Sequence, residues 1–247
     1  MLLEVNHLVK TYERGGIPFR AVDDVSFQLK ETEIMAIVGE SGSGKSTLGR
    51  LICQFAQPDS GQILFDGHDI THLPSRRQKE LYRKLQMVFQ NPVRSFHPRF
   101  TLGKSIRAGL HNYHLPLEEG EMDQLLQEVH LTPEHLGRYP HQVSGGECQR
   151  AAVLRALCMR PKLLICDEAT SALDVSIRGE IASLIKTSCQ RHHIACLFIT
   201  HDLYLARRLC DTMLVMNRGR IVEQGETETI FTHPHTEYTK TLLDSIL

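Results

Sequence analysis

Two hydrophobic rhythms run through the chain. Residues 34–38, 163–166 and 195–199 are short unbroken apolar runs, the pattern of strands buried on both faces of a parallel sheet. Residues 86–90 read as a further strand that Asn91-Pro92 stops. A second set of segments, 2–6, 21–29 and 61–67, is shorter and more alternating; the last ends in Asp66-Gly67, a strand-and-turn signal. Between the first two lies a polar stretch, 13–18, containing Gly15-Gly16 and expected to be a loop. Residues 213–216 and 220–223, joined through Asn217-Arg218-Gly219, predict a hairpin.

Elsewhere apolar positions recur every three or four residues. Residues 46–56 place Leu48, Leu51, Ile52 and Phe55 on one helical face, and 117–129 do the same with Met122, Leu125, Leu126 and Val129. Helices are also expected over 73–85, 101–110 and 175–191. Another begins at Ser144, whose pairing with Glu147 is a capping-box pattern, and runs to about 159, ahead of Pro161. Residues 226–247 read as a short helical tail. The predicted class is α/β: a mostly parallel sheet with flanking helices, an antiparallel β region and an α-helical subdomain. As one domain over 1–247, it would comprise a core from 1–90 and 161–225, the helical subdomain at 91–160, and the tail.

Composition narrows the classes without naming one. Lys and Arg total 28 against 29 Asp and Glu, so bulk positive charge does not drive nucleic-acid binding. No apolar run approaches the roughly 18 to 20 residues that span a bilayer. The start, Met1-Leu2-Leu3-Glu4-Val5, does not resemble a secretory signal. The seven cysteines form no C-x-x-C pair and mostly fall in apolar patterns, as reduced core thiols of a cytoplasmic protein would. His192-His193 and His233/His235 bring no clear ligand set with them, so the 14 histidines are not read as a metal site.

The chemistry is concentrated in Gly39-Glu40-Ser41-Gly42-Ser43-Gly44-Lys45-Ser46, followed by Thr47. This fits G-x-x-x-x-G-K-[ST] at every fixed position, and it sits between a predicted strand and a predicted helix, as the motif requires. Glycines let the backbone wrap an anion, loop N–H groups form an anion nest, Lys45 can reach the β- and γ-phosphates, and the Ser46 hydroxyl can ligate Mg²⁺. Asp167, at the end of an apolar strand, is placed to hold that Mg²⁺, and Glu168 to polarise water as a general base. Taken singly, Tyr12, Gln90 and His201 would be ordinary packing or strand-end residues.

Together these residues closely resemble one family over nearly the whole chain: the nucleotide-binding subunit of ATP-binding-cassette (ABC) transporters. The most specific mark is 143–150, Val-Ser-Gly-Gly-Glu-Cys-Gln-Arg, which resembles the family's signature segment. The resemblance implies that Tyr12 stacks on adenine and that Gln90 is the glutamine loop, sensing Mg²⁺ and water. It implies that Asp167 and Glu168 are the second nucleotide motif and catalytic carboxylate. Ser171-Ala172-Leu173-Asp174 would be the D-loop and His201 the switch histidine. It further implies two such subunits head to tail, with Ser144, Gly145, Gly146 and Glu147 facing the partner's ATP. Expected partners are a second ATPase subunit, two membrane permeases and, indirectly, a solute-binding protein, with no nucleic acid. The expected location is the cytoplasmic face of the inner membrane.

Val143 and Glu147 depart from the usual Leu and Gln of the signature, and neutralising Glu147 is expected to leave the fold intact and modestly strengthen closure. Residues 90–99 and the tail His233-Pro234-His235-Thr236-Glu237-Tyr238-Thr239 with Leu242-Leu243 resemble the peptide and nickel import branch, specifically its second ATPase subunit. The chain stops at Leu247, before the longer cysteine-bearing tail of many peptide-importing members. That favours nickel or a metal chelate as cargo, with dipeptides or oligopeptides as the alternative. A soluble cassette ATPase acting on DNA or ribosomes, or a non-catalytic regulatory partner, are the competing classes.

Overall fold

The computed structural model describes residues 1–245; of Arg14, Ser75, Val175 and Ser176 it describes the backbone alone, and the last two positions of the expected tail lie outside the described residues. The chain forms two compact units. One is Met1–Tyr82 with everything from Ala195 onward, and the other is Arg83–Ile194.

The first unit holds two sheets. Strand β1 (Leu3–Arg14) pairs antiparallel with β2 (Ile17–Leu29) and with β4 (Ser60–Phe65), which pairs in turn with β5 (His68–Asp69). The expected loop at 13–18 shrinks to Gly15-Gly16, both at positive φ. Two features hid the longer strands. The first four residues of β2 are all exposed, so they carry no alternation. In β1 the pairing register shifts after Val5, where His7 adopts φ 49°, so the period breaks while the strand continues.

The second sheet of this unit contains β3 (Ile34–Val38), entirely buried, parallel to both β8 (Ala195–Ile199) and β9 (Thr212–Asn217). Strand β10 (Arg220–Glu226) returns antiparallel to β9 through Arg218-Gly219. Both turn residues have positive φ, the geometry whose twist suits a two-residue hairpin. Helix α1 (Lys45–Ile52) follows β3. It is shorter than expected: Gln54 turns to φ 58°, and Phe55, assigned to the buried face, is 51% exposed. Helix α2 (Ser75–Lys84) lies at the end of the first segment of this unit. Helix α8 (Leu203–Leu209), which apolar spacing did not reveal, lies between β8 and β9, and the tail helices α9 (Thr227–Thr232) and α10 (Glu237–Asp244) follow β10.

In the second unit β6 (Leu85–Val88) pairs parallel with β7 (Leu163–Asp167). Between them in sequence lie α3 (Leu102–Asn112), α4 (Glu121–Glu128), the single turn α5 (Pro133–Leu136) and α6 (Gly145–Leu157); α7 (Val175–Arg191) follows β7. Helix α4 starts four residues later than its apolar spacing suggests, because Gly120 takes φ 78° and terminates the preceding loop. Leu125, Leu126 and Val129 still supply its buried face. All seven cysteines are buried. Among the described residues no helix is long and apolar enough to cross a membrane.

Candidate functional site

The sheet registers explain how the motif residues are presented. In the first unit Ile37 lies opposite Ile199, so Gly39 and His201 each leave the sheet two residues beyond a matched pair. In the second unit Val88 lies opposite Cys166, so Gln90 and Glu168 do the same. The carboxyl ends of parallel strands are where open α/β sheets place their ligands.

The glycine loop of the first unit is held by close backbone contacts. A Cβ on Gly39 would overlap the Met216 carbonyl oxygen, and one on Gly44 would overlap that of Ala21. Both glycines also have positive φ, 143° and 107°. Gly42, at φ 83°, faces open space. The β9–β10 turn braces the loop through Gly219 N–H, which donates to Ser43 O at 3.0 Å. Lys45 is 4% exposed, and its ammonium donates to the carbonyl oxygens of Gly39 and Glu40, each at 2.8 Å. Ser46 and Thr47 follow in the first turn of α1, half-buried, while Ser41 is exposed and Ser43 buried. Such a loop, of tight backbone with an open crest and a buried cation beneath, suits a phosphate chain.

His201 is exposed and follows Thr200, whose hydroxyl accepts from Asp202 N–H at 2.9 Å. Asp202 then caps α8 by accepting from Leu205 N–H at 3.0 Å. Tyr12 sits in the outer part of the β1–β2 hairpin opposite Phe19, 41% exposed, with the Lys10 ammonium 5.4 Å from its ring centre.

In the second unit the Gln90 amide donates to Glu168 Oε2 at 3.1 Å. Asp167 is buried at the end of β7, and Glu168 adopts φ 48°, a strained conformation for a non-glycine residue that turns its side chain out of the strand's alternation. The segment that follows is pinned to it: Ser171 N–H and Oγ both donate to Glu168 O at 3.0 Å. Arg178, on α7, donates to the carbonyls of Leu173 at 2.7 Å and Ser171 at 3.3 Å. Ala172 and Asp174 are exposed, and Asp174 is the residue before α7.

Ser144 and Gly145 are exposed at the start of α6, with Gly146 buried against Ile177. The capping box is formed: Glu147 N–H donates to Ser144 Oγ at 3.2 Å, and Ser144 N–H donates to Glu147 Oε2 at 2.7 Å. The other carboxylate oxygen meets His135 Nε2 at 3.2 Å. His135 Nδ1 accepts from Thr132 N–H at 3.0 Å, which leaves the proton on Nε2 and makes that nitrogen the donor to Glu147. These bonds, the Ser144 amide first, hold the Glu147 carboxyl below its usual range. Arg155, deep in α6, donates to Ser95 O at 2.6 Å and lies over the Phe96 ring, tying α6 to the segment after Gln90. His135, Arg178 and Arg155 were not singled out by the sequence, since none belongs to a local motif. A cavity of this unit, about 950 Å³ and lined by Glu128, Arg150, Glu180 and Arg191 among others, includes none of the motif residues.

Residues 22–171 match the ABC transporter family. The chain is 42% identical over 250 residues to the oligopeptide transport ATP-binding protein OppF of Streptococcus pyogenes, covering 99% of this chain and 81% of that protein. It is 37% identical to a protein of Brucella ovis named for peptide import and ATP binding, covering 99% and 78%. Among solved structures it resembles the dimeric ATP-binding cassette MJ0796 in a post-hydrolysis state bound to ADP and Pi, with a TM-score of 0.82, 26% identity, and coverage of 92% of this chain and 99% of that one. It also resembles cbiO1 of Clostridium perfringens, part of the ABC transporter complex cbiONQ, with a TM-score of 0.80, 30% identity, and coverage of 94% and 91%. The chain has the cassette fold, belongs to the ABC transporter family, and is an ATPase of that family.

Proposed function

We propose that this chain is the ATP-hydrolysing subunit of an importer whose cargo is a peptide. The observation that carries the cargo is the likeness, across 99% of the chain, to relatives named for peptide and oligopeptide transport. This replaces nickel or a metal chelate, which the sequence reading favoured from where the chain ends. Chain length is a poor guide to a cargo that the ATPase subunit need not touch.

The chemistry assigns roles as follows. The loop from Gly39 through Glu40, Ser41, Gly42, Ser43, Gly44, Lys45, Ser46 and Thr47 cradles the phosphates of ATP, with Lys45 neutralising charge. Ser46, Asp167 and Gln90 are the residues that would hold Mg²⁺, which when bound would supply neutralisation of the phosphate charge. Glu168 takes a proton from the attacking water as the γ-phosphoryl group leaves ADP and becomes phosphate. The Gln90–Glu168 hydrogen bond supports that role, because it fixes the orientation of the carboxylate. His201 holds the γ-phosphate and water in place, and Tyr12 stacks on adenine.

The exposed Ser144 and Gly145, with Gly146 and Glu147, serve the ATP of a second ATPase subunit, either a sibling chain or another copy. Ser171-Ala172-Leu173-Asp174 lies at the same pair interface. The dimeric state of the MJ0796 cassette supports pairing. The pair works at the cytoplasmic face of the membrane, where two transmembrane permeases and, indirectly, an external solute-binding protein complete the assembly. The test is ATPase activity of the chain reconstituted with its permeases in vesicles. Peptide in the presence of the binding protein should stimulate turnover; stimulation by Ni²⁺ and not by peptides would overturn the assignment.

A further inference from the structure

The tail motif at 233–239 has no role in the scheme above, yet it ends at the phosphate loop. Tyr238, in the first turn of α10, places its hydroxyl 3.3 Å from Glu40 N, within reach to accept that amide proton. The Gly39–Glu40 peptide is thereby held on both sides: its N–H goes to the tail, and its carbonyl, Gly39 O, accepts from the Lys45 ammonium at 2.8 Å. The next carbonyl, Glu40 O, accepts from the same ammonium at 2.8 Å and from Ser43 N–H at 3.2 Å. We propose that Tyr238 is a positioning residue for nucleotide binding: its hydroxyl fixes the Gly39–Glu40 peptide, whose Gly39 carbonyl is part of the platform on which the Lys45 ammonium rests.

The tail is anchored firmly enough to do this. Glu223 on β10, 8% exposed, accepts from His235 N–H at 2.8 Å, Thr236 N–H at 3.2 Å and Thr236 Oγ1 at 3.1 Å. Thr236 then caps α10 by accepting from Thr239 N–H at 3.2 Å, and Thr239 and Leu243 bury the inner face of the helix. Strand β10 begins at the turn whose Gly219 N–H braces Ser43. One strand therefore touches the loop at its start and holds the tail at its middle, and the tail touches the loop again at Glu40. Glycines at positive φ flank this stretch and leave its backbone little stiffness of its own. The tyrosine hydroxyl supplies what they remove, so the loop keeps its shape before the phosphates arrive.

The inference rests on the loop being the ATP site, and the experiment separates the two. Equilibrium ATP affinity, with Mg²⁺, is measured on the full chain for the wild type, Tyr238→Phe and Lys45→Ala, alongside thermal midpoints. KM and kcat are measured in the assembled transporter. Tyr238→Phe keeps the ring and its packing, so its midpoint should match the wild type. Its ATP affinity should fall about threefold to tenfold, the worth of one modest hydrogen bond, as a rise in KM at unchanged kcat. Wild-type affinity in Tyr238→Phe, with affinity lost in Lys45→Ala, would overturn the positioning role and leave the ATP site standing. A midpoint that falls in step with affinity would make Tyr238 a packing residue and also overturn it. Wild-type affinity in Lys45→Ala would remove both readings.

Discussion

Gln90 and Glu168 meet through a 3.1 Å hydrogen bond because the strands that carry them run parallel in register, with Val88 opposite Cys166. Each side chain is two residues past that matched pair. The amide thus orients one oxygen of a carboxylate that backbone strain at φ 48° has already turned outward. Glu168→Gln keeps the shape and removes the proposed proton acceptor. Single-turnover hydrolysis should slow by about 10² to 10⁴, the usual worth of a general base, while ATP binding persists. Undiminished turnover would assign the base elsewhere.

Glu147 carries a second prediction, which concerns stability rather than closure. Both of its oxygens face donors: Ser144 N–H, and His135 Nε2–H. An amide at this position would set its NH₂ against one of them. Glu147→Gln should therefore lower the thermal midpoint at neutral pH. The folded carboxyl titrates below the usual 4.5, chiefly through the Ser144 amide. Its contribution is complete above 4.5 and is lost as pH falls through the depressed folded value. The melting curves of the wild type and variant should accordingly converge in acid; a gap that persists well below that range would place the effect outside this carboxylate.

The loop glycines should separate by what surrounds them. Gly42→Ala meets open space and costs only the left-handed conformation, about 1–2 kcal/mol. Gly44→Ala incurs the same conformational cost and also drives a methyl into the Ala21 carbonyl oxygen, so it should be clearly the worse of the two in urea unfolding. Equal losses would show that the loop yields more readily than its contacts imply.

The cysteines should be chemically quiet. Burial pushes the Cys148 thiol up to about 11 and the Cys158 thiol up to about 12. At pH 8 the thiolate fraction of Cys148 is then on the order of one in a thousand, before access is considered. Native chain should react slowly with a thiol reagent and should release all seven thiols to it once unfolded. Rapid labelling of the native chain would reveal local opening.

What the sequence made legible was whatever is local. The glycine loop, the capping box at Ser144 and the apolar runs of β3, β7 and β8 each occupy a few adjacent residues, so their spacing alone identifies them. Exposed or irregular regions were less legible. The outer half of the β1–β2 hairpin has no buried face to set an alternation, and the bulge at His7 breaks what period there is. Residues acting across long sequence separation were invisible: Arg155 on the Ser95 carbonyl, His135 on Glu147, and Glu223 beneath the tail are each joined to their targets by folding alone.

The matched strand ends impose a rule on how this site can change. Side chains alternate along an extended backbone, so removing or adding one residue between Val88 and Gln90, or between Ile199 and His201, would point the functional group the wrong way. Such segments can drift in composition while their length stays frozen. A survey of viable insertions and deletions should find these two short connectors intolerant, beside surface turns that accept them freely.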